Sequence, residues 1–153
     1  MQTSATIRTL NRLVQSCRDT QAISRACATD VTHAELRALL SERSEEWARQ
    51  GDELQALVLL LGGEPVTGPG IVATALCFWR STRTLVLGTD DRTVLQEWCA
   101  AHSAAQASFE TALSGYLPER IRRTVSLQQE RIRYRAQQIE GLLLHYAGGS
   151  AGA

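Results

Sequence analysis

Cys99-Ala100-Ala101-His102 holds the two side chains of this chain best suited to chemistry. A thiolate and an imidazole at i and i+3 leave one face of a helix together, where they can grip a zinc, copper or iron ion. Glu53 can add a carboxylate from a second helix, so Glu53, Cys99 and His102 are the candidate ligands of a remodelled metal or redox site. The plainer reading is that Cys99 is a small core residue and His102 a hydrogen-bonded core histidine. It is preferred because no third ligand follows at metal-binding spacing. The same pair as nucleophile and base would point into a packed interior, and is set aside.

A wider set of polar residues falls near the middle of the helices described below: Gln21, Gln50, Glu53, His102, Gln128 and Arg135. A guanidinium on an inward stripe must be paired or reach water, because an isolated buried charge is costly. Arg135 is therefore expected either to pair with Glu53 across the core, standing in for a lost metal, or to snorkel outward along its apolar stem.

Other chemistries lack their residues. Gly62-Gly63-Glu64-Pro65 with Gly68-Pro69-Gly70 follows a helix and has no Gly-Lys-Ser/Thr, which a phosphate loop needs. No Gly-x-Ser-x-Gly elbow occurs. The last helix carries six arginines against three glutamates, but no aromatic residues interleave for base stacking, so nucleic acid is not expected as a partner.

The elements that must position these residues are helices. Ile121, Val125, Gln128, Ile132, Arg135, Ile139, Leu142 and Tyr146 recur at steps of four and three, the seam of a bundle helix over 118–146. A second stripe (Ile7, Leu10, Val14, Cys17, Gln21, Ser24) predicts a helix over 4–28. Leu36, Leu40, Trp47, Gly51, Leu54, Val58 and Leu61 predict one over 32–62, opened by a capping box at Thr32-His33-Ala34-Glu35 and closed by Gly62-Gly63. Leu95, Trp98, His102, Ala105, Phe109, Ala112 and Tyr116 mark a helix over 90–116, begun by Asp90-Asp91. Between them, Ile71, Ala75, Phe78, Trp79 and Leu85 predict a shorter crossover helix over 70–87. The expected fold is all-α: a ferritin-like four-helix bundle of two antiparallel hairpins joined by a long crossover. It forms one domain over 1–147, with a flexible tail over 148–153.

Several segments carry a family resemblance: Leu10-Asn11, Cys17-Arg18-Asp19, Glu53-Leu54-Gln55, Leu61-Gly62-Gly63-Glu64-Pro65, Trp79, Asp90-Asp91 and Leu117-Pro118-Glu119. Through them, residues 10–139 resemble a bacterial family described only as a ferritin-like four-helix bundle of unknown function. The resemblance implies the fold and no established reaction. Ferritin-like di-iron sites use one Glu from each of two helices and a Glu-x-x-His from each of the others. This chain has no Glu-x-x-His, and Ala22, Gln50, Cys99, His102 and Ala136 stand where such ligands are sought. No ordinary di-iron centre and no cofactor are expected; a single zinc, copper or iron ion is the alternative.

Composition bounds the rest. The chain has 153 residues, enough for one domain with a real core, and is 44% hydrophobic. All 16 basic residues are arginine, which reads as codon bias in a GC-rich genome, and they balance 16 acidic ones. Zero net charge gives no global attraction to nucleic acid or anionic lipid. No apolar run reaches a membrane span, and the polar start does not resemble a signal peptide. Cys17, Cys27, Cys77 and Cys99 form no Cys-x-x-Cys and are expected as reduced, buried thiols of a cytoplasmic protein. Trp47, Trp79 and Trp98 are read as core anchors; an exposed Trp79 would instead mark a subunit contact. The favoured function is a non-enzymatic structural or interaction module, self-associating as a homodimer.

Overall fold

The computed structural model describes residues 2–88 and 90–151, and the side chains of these except 83–87 and 147–151. Among the described residues there are five helices: α1 (Gln2–Asp30), α2 (Ala34–Leu60), α3 (Ile71–Leu87), α4 (Asp91–Ser114) and α5 (Glu119–Ala151). No strand occurs among the described residues. The last helix runs to Ala151, into the stretch expected to form a tail.

Close backbone packing joins α1 to α2, α4 and α3, and α4 to α5. Side-chain pairs give the directions. Arg18 meets Asp52 while Gln21 meets Ser44, so α1 and α2 are antiparallel. Ser24 meets Trp98 while Cys27 meets Val94, so α1 and α4 are antiparallel too. Hence α2 and α4 run the same way, and the chain between them must travel back along the bundle. The loop from Leu61 and the 17-residue α3, roughly 25 Å long at 1.5 Å per residue, make that return.

Two apolar clusters fill the bundle. One holds Leu10, Val14, Trp47, Leu54, Phe109, Val125 and Ile132; the other, towards the opposite end, holds Leu36, Leu40, Leu95, Trp98 and Ile139. Nearly every residue of the sequence stripes on α1, α2, α4 and α5 is buried or half-buried. Tyr116 is the exception at 60% exposure, because α4 stops at Ser114. Trp98 donates its indole N–H to Ser24 Oγ at 2.9 Å, which explains a serine on an inward stripe: it satisfies the one polar atom of a buried tryptophan.

The helix boundaries follow local chemistry, with one correction. Gly62 takes a φ of +81°, and the N–H groups of Gly62 and Gly63 return to Leu59 and Val58 carbonyls, ending α2 as a left-handed glycine should. Gly63 must also lack a Cβ, which would sit 2.7 Å from Ile7 Cγ2. The expected capping box, however, does not form. α2 begins at Ala34 with His33 as cap residue, and no cap-residue side chain bonds to it. The cap comes instead from α4. Asp91 accepts from the Thr32 N–H at 2.7 Å, the His33 N–H at 3.1 Å, the Thr32 hydroxyl and the His33 ring. Burial alone would raise the Asp91 carboxyl; these hydrogen bonds from His33 and Thr32 outweigh it and hold it below the usual carboxylate value. Asp90 alone caps α4, accepting from Thr93 N–H at 2.8 Å.

The loop before α3 is clamped to α1 by polar side chains. Asn11 Nδ2 donates to Glu64 O at 2.9 Å while Val66 N–H donates to Asn11 Oδ1 at 3.1 Å. Gln15 Nε2 donates to Gly68 O, and Gly70 N–H donates to Asp19 Oδ1 at 2.7 Å. Arg18, next to that clamp, spans to Asp52 and Gln55, each at 2.8 Å. Asn11, Arg18, Asp19 and Gln55 belong to the motifs that carry the family resemblance. Asn11 and Asp19 hold the crossover in place, while Arg18 and Gln55 tie α1 to α2 beside it.

Candidate functional site

Two edges of the bundle carry the features that packing alone does not account for. The first is the seam between α2 and α5. These helices approach less closely than α1 and α2 or α4 and α5 do, and meet through long side chains. Arg43 faces Gln138, Glu46 faces Arg135, and Gln50 and Glu53 face Gln128, an antiparallel register.

The sequence-derived polar cluster divides along this seam. Gln128 is fully buried; its Nε2 donates to the Gln50 backbone carbonyl at 3.3 Å and to Glu53 Oε2 at 3.1 Å. Gln50 is 8% exposed. Glu53 is exposed, and Gln21 lies half-buried on α1, away from the seam, its carbonyl accepting from Ser44. Arg135 does not meet Glu53. Its guanidinium donates to Glu46 Oε1 and to Gln138 Oε1, each at 2.9 Å, with 29% of its side chain exposed. The register explains the mismatch: Glu46 and Glu53 are seven residues apart, two turns, and Arg135 is level with the first.

Arg43 is the deeply buried cation of this seam, and sequence reading missed it. Its side chain is 6% exposed and its Nη1 lies 2.7 Å from Glu46. It falls between Leu40 and Trp47, at helical spacing from both, so a stripe drawn with charged residues left in would have found it.

His102 is enclosed at the same level of the bundle. Its ring stands edge-on to Trp47 and Trp98, with centroids 5.6 and 6.1 Å away. Nε2 lies 3.1 Å from the Ile132 carbonyl and must donate to it, leaving Nδ1 as a bare acceptor. Burial lowers the His102 pKa; the Ile132 carbonyl pulls it back up and Arg43 lowers it further. The enclosure therefore favours the neutral ring.

Cys99 is half-buried, and burial pushes its thiol up to about 11, aided by Glu140. Such a thiol is neither a good nucleophile nor a ready thiolate ligand. Glu53, Cys99 and His102 do not group: among the described residues no three His, Cys, Asp or Glu side chains lie together so as to hold a metal ion. Cys17 and Cys27 are buried, each with its thiol raised to about 12 by burial, whereas Cys77 is only half-buried. All four cysteines are free.

The second edge is the one α3 covers, between α1 and α4. Sequence periodicity assigned the large apolar residues of α3 to a face against the bundle. The structure reverses this. Among the described side chains of α3, Ala73 and Arg80 are the buried ones, with Cys77 half-buried on the same face. Ile71, Val72, Phe78 and Trp79 are 89%, 74%, 75% and 60% exposed. Leu85 lies outside the described side chains. The cause is ionic. Arg80 Nη1 lies 3.2 Å from Asp30 and its Nε pairs with Glu97, so α3 is held by a guanidinium between two carboxylates. Once Arg80 points in, the residues on the far side of the helix point out. Beside α3, a groove of about 640 Å³ runs between Val72, Leu76 and Trp79 on one wall and Ala100, Ala101 and Ala104 of α4 on the other.

No helix among the described residues is long and apolar enough to cross a membrane. No curated protein matches the chain. A family model described as a domain of unknown function, DUF2383, matches residues 5–115, which include the clamp, α3 and the α1–α4 edge but only the α2 side of the other edge, and the chain belongs to that family.

Proposed function

We propose that this protein is a non-enzymatic, ferritin-like bundle that works as an interaction module in the cytoplasm, self-associating as a homodimer through α3. The carrying observation is the outward face of α3. A soluble helix ordinarily turns its large apolar residues inward, and contiguous apolar patches left in water mark interaction sites. Two antiparallel hairpins joined by a crossover along the bundle support the ferritin-like reading.

A second copy is the partner this surface suits. A two-fold interface needs ridge and groove on one patch, since each copy offers the same surface to the other. Ile71, Phe78 and Trp79 form the ridge, and the alanine-paved surface of α4 is the adjoining groove, whose small side chains allow close helix approach. The test is molar mass in solution by light scattering. The wild-type chain is expected at twice its monomer mass of 16.8 kDa, and Phe78→Asp with Trp79→Ser at the monomer mass with unchanged helix content. A wild-type monomer at high micromolar concentration overturns the proposal.

A further inference from the structure

We propose that the groove between α2 and α5 binds a small zwitterion, a molecule with an ammonium and a carboxylate close together, as in a free amino acid. The groove has a volume of about 560 Å³, within the range of small-molecule sites. It lies on the edge opposite α3, so this inference does not depend on self-association.

The floor demands a donor. Gln50 is more than nine-tenths buried and lines the groove, yet its Oε1 has no hydrogen-bond partner. Gln128, fully buried beside it, has the same deficit at Oε1. Its amide cannot turn round to cure this, because the oxygen would then face the Gln50 carbonyl and the Glu53 carboxylate, both acceptors. Buried acceptors without donors are costly. A primary ammonium brings three N–H donors, and Glu53 next to these amides supplies the opposite charge.

One turn along, the groove demands an acceptor. Arg49 precedes Glu53 by a turn on α2, and Arg131 follows Gln128 by a turn on α5. The antiparallel register sets them level with each other. Neither makes an ion pair among the described residues, although other arginines of the seam do. Two unpaired guanidinium groups are suited to a carboxylate. Charge balance points the same way. Glu46, Glu53 and Glu130 offset Arg49, Arg131 and Arg135, so the groove favours neither a lone anion nor a lone cation. A molecule carrying both charges matches each end.

Isothermal titration calorimetry of the full chain tests this, with the protein-forming amino acids as probes, each alone. At least one is expected to give saturable heat. Its decarboxylated amine and its deaminated acid are each expected to bind at least about tenfold more weakly, the loss of one charge-assisted contact. Arg131→Ala, at an exposed position that folding does not depend on, should weaken binding by a similar factor, and Gln50→Leu should too. Arg133→Ala, exposed on the same helix but outside the groove, should leave it unchanged. Absence of saturable heat with every amino acid overturns the proposal. So does an amine or acid that binds as tightly as the zwitterion, or an Arg131→Ala variant with full affinity.

Discussion

The α1–α4 edge, covered by α3, and the α2–α5 edge depart from apolar-inside packing in opposite directions. On the first, a buried arginine between two carboxylates holds a helix whose large apolar side chains face water. On the second, two buried glutamines and an arginine occupy positions that a simple bundle would give to leucine. Both edges are anchored by a guanidinium, Arg80 on one and Arg43 on the other. The difference lies in what each anchor frees. Arg80 turns an apolar surface outward, which suits a protein partner; Arg43 and its neighbours bridge two helices with long polar side chains, beside a groove that suits a small polar ligand.

Breaking the anchors gives the largest effects. Arg80→Ala removes the buried guanidinium that Asp30 and Glu97 share beneath α3, and is expected to cost about 3–5 kcal/mol in a urea melt, as removal of one partner of a buried pair does. The loss of protection should centre on α3 amides in hydrogen exchange. A cost under about 1 kcal/mol would show that water reaches those carboxylates and that Arg80 does not set the orientation of α3.

On the opposite edge, Glu46→Gln leaves the buried Arg43 with only the exposed Glu42 carboxylate, 4.0 Å away, as counter-charge. It is expected to cost about 2–3 kcal/mol, less than a fully buried pair because Glu46 is 20% exposed. Replacing both, as Arg43→Met with Glu46→Leu, should recover much of that loss and give a large coupling in a double-mutant cycle. Glu53→Gln should cost under about 1 kcal/mol, because Glu53 is exposed and accepts only from Gln128. Equal costs at Glu46 and Glu53 would erase the distinction between the two levels of the seam.

Acidification probes the seam more gently. The folded pKa of His102 is depressed by burial, so the unfolded chain binds its proton first as pH falls. Its contribution to stability is complete above about pH 6.5 and is lost progressively below that value. Thermal midpoints should therefore fall from pH 7.5 to 5.5, and His102→Gln should flatten the decline. The smallest stability effect belongs to α3. Phe78→Ser, measured below the concentration at which copies associate, should shift unfolding by no more than about 0.5 kcal/mol. A larger loss would mean that the ring is packed within one chain.

Much of the fold was legible because its signals are local. Steps of four and three over 121–146, the glycine pair at 62–63 and Asp90 each act through a few neighbouring residues, and each does in the structure what its type suggests. The core position of His102 was legible for the same reason. The pairing of Arg135 was not: stripes give the face of a helix, while the register between two helices depends on contacts far apart in sequence. Asp91 shows the same limit. Its type marks a helix start, and its carboxylate caps a different helix 57 residues earlier in the chain, at Ala34.

By itself, then, the sequence determined that there are five helices, which faces of four of them turn inward, and that the ordinary di-iron ligand pattern is missing. Those properties rest on periodicity, capping and residue identity, all carried within single segments. Only the tertiary structure decided that Arg80 rather than Phe78 or Trp79 faces the bundle, that Glu46 rather than Glu53 meets Arg135, and that Gln50 and Gln128 share one buried layer. Each of these turns on a charge or amide finding its partner on another helix. Such a partner is chosen by the whole packing, because the cost of burying a polar group depends on what stands opposite it.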